Sequence, residues 1–84
     1  MLRLEKEQEE LISILVESAR KMPREQRQSF LAYWPGSGTE MWMIKHRGLP
    51  GGTIWVHPGD LEVLYQHGLL TVMNKNLSDW RFDV

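Results

Sequence analysis

Three histidines are the side chains of this 84-residue chain best suited to bind a metal ion. His46 with His57 or His67 would supply two imidazole ligands. Zinc sites usually need three or four ligands, often at short regular spacings such as HExxH, and no such spacing occurs here. A structural interpretation is simpler, because His57 begins a predicted helix and His67 lies in its last turn, where positive charge is favourable. We therefore expect neither a metal site nor a cofactor.

Two close pairs of carboxylates are candidates for a general acid and base: Asp60 with Glu62, and Asp79 with Asp83. Such pairs work only in a buried cleft that makes one group an acid and the other a base. A domain of this size rarely contains such a cleft. We therefore expect a protein that is not an enzyme.

Two glycine-rich segments, 36–38 and 48–52, lack the features of catalytic or phosphate-binding loops. The first has neither the GxSxG spacing nor the strand-to-helix setting of a nucleophile elbow. The second lacks the Lys-Ser/Thr of a phosphate-binding loop. We interpret the first as a flexible loop and the second as a tight turn.

Four tryptophans, Trp34, Trp42, Trp55 and Trp80, are the largest apolar side chains in the chain. Trp42 lies beside the basic run 45–47, an arrangement that single-stranded nucleic acids use. In a small core, however, large aromatic side chains are the main source of buried apolar area. We therefore expect three of the four tryptophans in the core, and an exposed one would suit a protein partner.

The composition indicates a single domain that spans residues 1–84. Hydrophobic residues make up 42% of the chain and charged residues 25%, which is typical of globular proteins. So short a chain has room for one core only. The absence of cysteine excludes disulfides and fits a reducing cytoplasm.

Charge and apolar runs limit the classes of partner. Ten basic and eleven acidic residues give a formal charge of -1, whereas nucleic-acid binders usually carry a basic excess. The longest dense apolar run, 11–16, is far shorter than the roughly 20 residues that cross a bilayer. The acidic first ten residues are unlike a signal peptide. We expect no membrane contact and a cytoplasmic location.

Helical periodicity predicts a first helix from Leu2 to Arg20, acidic in its opening turns and basic in its last. The apolar residues at this spacing are Leu11, Ile12, Leu15, Val16 and Ala19. Leu4, Leu11 and Leu15 also hint at a heptad pattern, which polar residues interrupt. Homodimerisation through this helix therefore remains an alternative.

A second helix is predicted from Pro23 to Tyr33, because proline suits a first helical turn and good helix formers follow it. Phe30, Leu31 and Trp34 would form its buried face. The Pro-Gly-Ser-Gly run at 35–38 would end it.

The remaining chain predicts strands and one more helix. Met41 to Ile44 and Thr53 to His57 are short runs typical of strands. A third helix has Pro58 in its first turn and Gly68 just past its last. Alternating apolar residues on both sides of the polar run 74–79 then predict a C-terminal β-hairpin.

The segment from Asp60 to Val84, DLEVLYQHGLLTV…WRFDV, resembles the recognition helix and wing of a winged-helix domain. The resemblance implies an α+β, winged-helix-like fold with three helices and a small antiparallel sheet that includes the C-terminal β-hairpin. Many winged-helix domains continue beyond the last wing strand with a threonine and a glycine. The chain therefore resembles the N-terminal piece of a larger bacterial protein.

Two features depart from winged-helix DNA binders. Their third helix presents hydrogen-bond donors to the DNA, whereas this one would present Asp60 and Glu62 to a polyanion. The segment 41–56 is also longer and more apolar than a plain turn, and it predicts an additional hairpin.

These patterns favour a non-enzymatic protein-interaction or regulatory module whose partner is another protein or the rest of the parent chain. DNA binding through the third helix and the wing is the alternative. The candidate contact residues for either partner are polar or cationic side chains, namely Lys45, Arg47, Gln66, His67, Lys75, Asn76 and Arg81.

Overall fold

The computed structural model describes residues 3–36 and 38–84, which form two α-helices and one five-stranded antiparallel sheet. The predicted α+β class is confirmed, but the winged-helix-like arrangement of three helices with a small sheet is wrong. The elements are α1 (Lys6–Arg20), β1 (Phe30–Tyr33), β2 (Trp42–Lys45), β3 (Thr53–Val56), α2 (Pro58–Gln66), β4 (Thr71–Lys75) and β5 (Asp79–Asp83). Short 3-10 turns occur at Arg24–Gln26 and Pro50–Gly52.

The first helix forms as the apolar periodicity predicts, but it begins at Lys6 with Glu5 as its N-cap, so the predicted helical residues 3–5 are not helical. The expected start at Leu2 lies outside the described residues. Gln8, which interrupts the apolar pattern, is buried because both ends of its amide are hydrogen-bonded. The Glu5 N–H donates to its Oε1 at 2.8 Å, and its Nε2 donates to Asp60 Oδ1 at 3.2 Å. This second bond ties α1 to the beginning of α2. Leu11 lies in the core, so the heptad pattern is not an exposed seam.

The predicted second helix, Pro23 to Tyr33, is the main error of the sequence prediction. In its place a 3-10 turn leads into β1, the central strand of the sheet. Phe30 and Ala32 are fully buried while Leu31 and Tyr33 point to the opposite face, which is the two-residue alternation of a strand. Pairing with both β2 and β5 satisfies the backbone of β1, and this outweighs the local helix preference of the segment.

The sheet has the strand order β3-β2-β1-β5-β4, and every neighbouring pair is antiparallel. The predicted strands at 41–44 and 53–57 are present as β2 and β3. The predicted C-terminal hairpin is present as β4 and β5, with a bulge between Val72 and Asn74. Strands β3 and β4 are the two edges of the sheet.

The predicted helix between Pro58 and Gly68 is present as α2. Gly68 adopts the left-handed conformation, with φ of 73°, that ends a helix at little cost in free energy. Its N–H donates to the Tyr65 carbonyl at 3.0 Å, and the Leu69 N–H donates to the Leu64 carbonyl at 3.0 Å. These bonds satisfy carbonyl groups that the helix end would otherwise leave unpaired.

Both helices pack on the same face of the sheet, and this face contains the core. The core residues are Leu11, Leu15, Ala19, Phe30, Ala32, Ile44, Leu49, Val56, Leu61, Leu64, Leu70, Trp80 and Phe82. Within the described residues, no helix packs on the opposite face of the sheet. In the described part of the chain, no helix has the length and apolar character needed to cross a bilayer.

Candidate functional site

The face of the sheet that no helix covers combines apolar and cationic side chains. Strand register places Tyr33 beside Met43, and Met43 beside Trp55, in one row across three strands. The Tyr33 hydroxyl donates to the Met43 sulfur at 3.2 Å, and the Lys45 Nζ lies 5.6 Å from the centre of the Tyr33 ring. Trp55 is 53% exposed. This face therefore offers aromatic and cationic groups to a ligand.

Three of the predicted contact residues, Lys45, Arg47 and Arg81, line one pocket of about 350 Å³ at the end of this face. We call it the cationic pocket. They come from three places in the chain that become neighbours because β2, β1 and β5 are adjacent in the sheet. The other lining residues are Gln28, Ser29, Leu31, His46, Gly52 and Thr53.

His46 fixes the wall of the cationic pocket. It is 6% exposed and stacks on the Phe30 ring at a centroid distance of 3.9 Å. The Gly48 N–H donates to its Nδ1 at 3.0 Å, so the proton of the neutral ring is on Nε2, which lies 2.9 Å from the Gln28 carbonyl oxygen. His46 thus holds two loops together, and its ring nitrogens are both engaged.

Strand β3 forms an edge of the sheet that no other strand covers. The His46 N–H donates to the Gly52 carbonyl at 3.1 Å, and backbone groups of an antiparallel pair alternate between facing the partner and facing away. The backbone groups of Thr53 and Trp55 therefore point outwards. Among the described residues, these outward-facing groups form no backbone hydrogen bond to any segment outside the β2–β3 pair.

A groove of about 300 Å³ runs between this edge and the first helix. We call it the edge groove. On the helix, Glu7, Glu10, Leu11 and Ile14 occur at the spacing of a single helix face, so they line the groove together. The other lining residues are Met41, Ile54, Trp55, Val56, His57 and Asp60. The groove has an apolar floor and an acidic rim.

The other predicted contact residues lie elsewhere and do not join the cationic pocket. Lys75 lies opposite Trp80 in the β4–β5 pair, on the helix side of the sheet, and its Nζ is 3.4 Å from Glu62 Oε2. Asn76 closes the hairpin by donating to Asp79 Oδ1 at 2.7 Å. Gln66 is exposed at the end of α2, and the His67 Nδ1 lies 2.8 Å from the Val63 carbonyl oxygen.

The expectation that three tryptophans lie in the core is wrong. Trp80 is buried and Trp42 packs against the core, whereas Trp34 is 48% exposed and Trp55 53% exposed. The Trp34 Nε1 donates to the Thr39 carbonyl at 2.7 Å. Trp55 is exposed because it lies on the face that no helix covers, at the edge strand β3, and neither fact can be read from the residues of β3 alone.

The carboxylates considered as acid and base have structural partners. Asp60 accepts from Gln8, Glu62 pairs with Lys75, and Asp79 accepts from Asn76. Within residues 3–36 and 38–84, no group of three or more potential metal ligands is present.

The edge groove was missed at the sequence level. Its two sides, α1 and β3, are more than thirty residues apart in the chain, and only the pairing of β3 with β2 and the packing of α1 in the core bring them together. The one local signal of the groove is the sequence of β3, Thr-Ile-Trp-Val, whose four residues carry no charge. Comparison with known protein families, curated proteins and solved structures finds no match to this chain.

Proposed function

We propose that the chain is a non-enzymatic protein-interaction module that binds an extended segment of a partner protein as a sixth strand along β3. The observation that carries this proposal is the edge groove, in which an unpaired strand edge faces an apolar helix surface. Added strands of this kind gain affinity from backbone hydrogen bonds and specificity from pockets for alternate side chains.

The two edges of the sheet differ in a way that supports β3 as the docking edge. Strand β4 carries a bulge and ends in Lys75, both of which discourage pairing with another chain. Strand β3 has no bulge, no charge and no proline within its four residues. Thr53 and Trp55 direct their backbone N–H and C=O groups outwards, so they are available to an added strand.

The rim of the edge groove indicates the chemistry of the partner. Glu7, Glu10 and Asp60 line it, and no lysine or arginine does. An extended segment with apolar side chains on one face and lysine or arginine at the rim would complement it. A second copy of this chain fits less well, because pairing β3 with β3 would bring two acidic rims together.

Duplex DNA is the alternative that the sequence raised, and the positions of the charges support a protein partner instead. The Lys75 side chain pairs with Glu62, and Asp60 lies on the rim of the groove. Lys45 and Arg81 lie on the face of the sheet opposite α2, so they cannot join that helix in one interface. Binding to random duplex at low salt would distinguish the two partners, because DNA affinity falls steeply as salt rises. We expect no salt-dependent binding of duplex.

The experiment is a titration of the chain with a fluorescent octapeptide that alternates valine and lysine, compared with one that alternates valine and glutamate. We expect the lysine peptide to bind and the glutamate peptide to bind at least about fivefold more weakly, because rim charges act over short distances. No binding of the lysine peptide at millimolar concentration would contradict the proposal.

A charge-reversal pair locates the binding surface. Glu10→Lys changes the rim, whereas Glu17→Lys makes the same change on α1 outside the groove. We expect Glu10→Lys to lower the affinity for the lysine peptide by about three- to tenfold. An exposed ion pair contributes up to about 1 kcal/mol, and reversing the charge adds repulsion. Equal effects of the two variants would show that general charge, and not the groove, attracts the peptide.

A further inference from the structure

We propose that the cationic pocket is a second, separate binding site, which takes the phosphate monoester group of a small molecule or of a phosphorylated side chain. The pocket brings Lys45, Arg47 and Arg81 together, and among the described residues no carboxylate lines it. The chain as a whole has a formal charge of -1, so this concentration of positive charge is local. An anion would relieve the repulsion among the three cations.

None of the three cations is neutralised by an ion pair. The one ion pair among the described residues is Lys75 with Glu62, on the helix side of the sheet. Asp83 flanks Arg81 two residues away on β5, yet the two form no ion pair. Both arginines therefore keep the planar donor groups that bind phosphate oxygens in pairs.

The contacts that the cations do make leave donors available. The Arg81 Nη1 donates to Ser29 Oγ at 3.3 Å, which holds the guanidinium at the pocket wall. The Lys45 ammonium lies over the Tyr33 ring. That contact does not use all three of its N–H groups, so donors remain for a ligand. The Ser29 and Thr53 hydroxyls lie in the same lining and add neutral donors.

The pocket is preformed by buried contacts. His46 bridges the Gln28 carbonyl and the Gly48 N–H, and its stacking on Phe30 anchors the wall to the core. A volume of about 350 Å³ lies at the lower end of small-molecule sites and exceeds that of a phosphate group alone. Leu31 gives the remaining space an apolar surface for the group that carries the phosphate.

The test is a titration followed by the amide signals of the isotope-labelled chain, with AMP and a phosphoserine tetrapeptide as probes. Adenosine and the unphosphorylated tetrapeptide are the matched controls. We expect at least one phosphorylated probe to shift signals around Ser29, Lys45 and Thr53, and its control to shift none. The probe that binds identifies the source of the phosphate group.

Substitutions inside and outside the cationic pocket test whether the phosphorylated probe binds there. Arg47→Gln and Arg81→Gln are each expected to lower the affinity for the bound probe by about tenfold or more, because each removes a charge-assisted hydrogen-bond donor. Lys75→Gln and Arg24→Gln remove the same charge outside the pocket and should change affinity less than about twofold. All four side chains belong to exposed residues, so the variants are expected to fold.

Two results would overturn this proposal. One is the absence of signal shifts with both phosphorylated probes at millimolar concentration. The other is binding that Arg47→Gln and Arg81→Gln leave unchanged. Neither result bears on the edge groove, because Arg47 and Arg81 do not line it and the probes of the two sites carry opposite charges. Thr53 belongs to both sites, through its place in the pocket lining and its backbone at the β3 edge.

Discussion

Gly48 is a position where one side chain would disturb the packing of the whole chain. Its Cα lies so close to the backbone of Ser18, near the end of α1, that an added Cβ would overlap the Ser18 carbonyl group. Both groups are backbone, so neither can move aside by a simple rotation of a side chain. The loop after β2 therefore depends on glycine here because of the close approach, and not because of an unusual backbone angle.

We predict that Gly48→Ala lowers the free energy of unfolding by roughly 1–3 kcal/mol or more, because overpacking forces α1 and the loop apart. Gly59→Ala is the matched control, since a Cβ at Gly59 in α2 would meet nothing within 4 Å. The control should be neutral or stabilising by up to about 1 kcal/mol. Urea unfolding of both variants checks this, and equal stabilities would contradict the close contact.

His46 is predicted to stabilise the fold and not to bind a metal. His46→Leu would leave the buried Gly48 N–H without an acceptor and would remove the stacking on Phe30. The expected loss is about 1–3 kcal/mol. His57→Leu, at an exposed position, should change stability by less than about 0.5 kcal/mol. Thermal unfolding followed by circular dichroism measures both, and a neutral His46→Leu would disprove the bridging role.

At the scale of elements, the beginning of α1 depends on Gln8. Gln8→Ala would remove the acceptor for the Glu5 N–H and the donor to Asp60. We predict a loss of about 1–2 kcal/mol, because a helix cap and a bond between two helices disappear together. Gln66→Ala, on the exposed end of α2, is the control and should lie within about 0.5 kcal/mol of the parent chain. Similar losses for both would argue against the cap.

Local patterns were sufficient to predict α1, α2 and the strands β2 to β5. Each has a periodicity or an end signal in its own residues, such as Gly68 after α2. They were insufficient for β1, because its residues fit two patterns equally well. Phe30, Leu31 and Trp34 have a helical spacing, whereas Phe30 and Ala32 have a strand spacing. Only pairing with β2 on one side and β5 on the other decides between the two, and that pairing depends on distant residues.

The candidate sites show the same limit. Lys45, Arg47 and Arg81 are candidate contact residues by their charge, but their convergence on one pocket depends on the central position of β1. Lys75 and Asn76 were equally polar in the sequence, yet the hairpin directs them to Glu62 and Asp79. Trp55 could not be separated from the buried Trp80 without knowing which face of the sheet each side chain occupies.

At the scale of the whole molecule, one sheet separates a face covered by helices from a face open to ligands. Leu15 of α1 and Leu64 of α2 are fully buried with Phe82 in a single core. A sheet needs such cover on one face to be stable. In the described part of the chain, no helix covers the open face and no strand pairs with the outer side of β3, while the covered face holds the fold together.

A chain that lacks residues 1–20 should therefore lose cooperative folding altogether, because the apolar face of the sheet would be left exposed over the area that α1 covers. Near-ultraviolet circular dichroism and the unfolding transition of the truncated chain check this expectation. A sharp transition that persists without α1 would show that the sheet and α2 form an independent core.

Addition of a partner strand to β3 can be detected by amide hydrogen exchange of Thr53 and Trp55 in the presence of the valine–lysine octapeptide. Their N–H groups point outwards from the edge and should exchange quickly in the free chain. We predict that the peptide slows the exchange of both by at least about tenfold, since an added strand accepts hydrogen bonds from them. Unchanged exchange at both residues with the peptide bound, or protection along β4 instead, would contradict it.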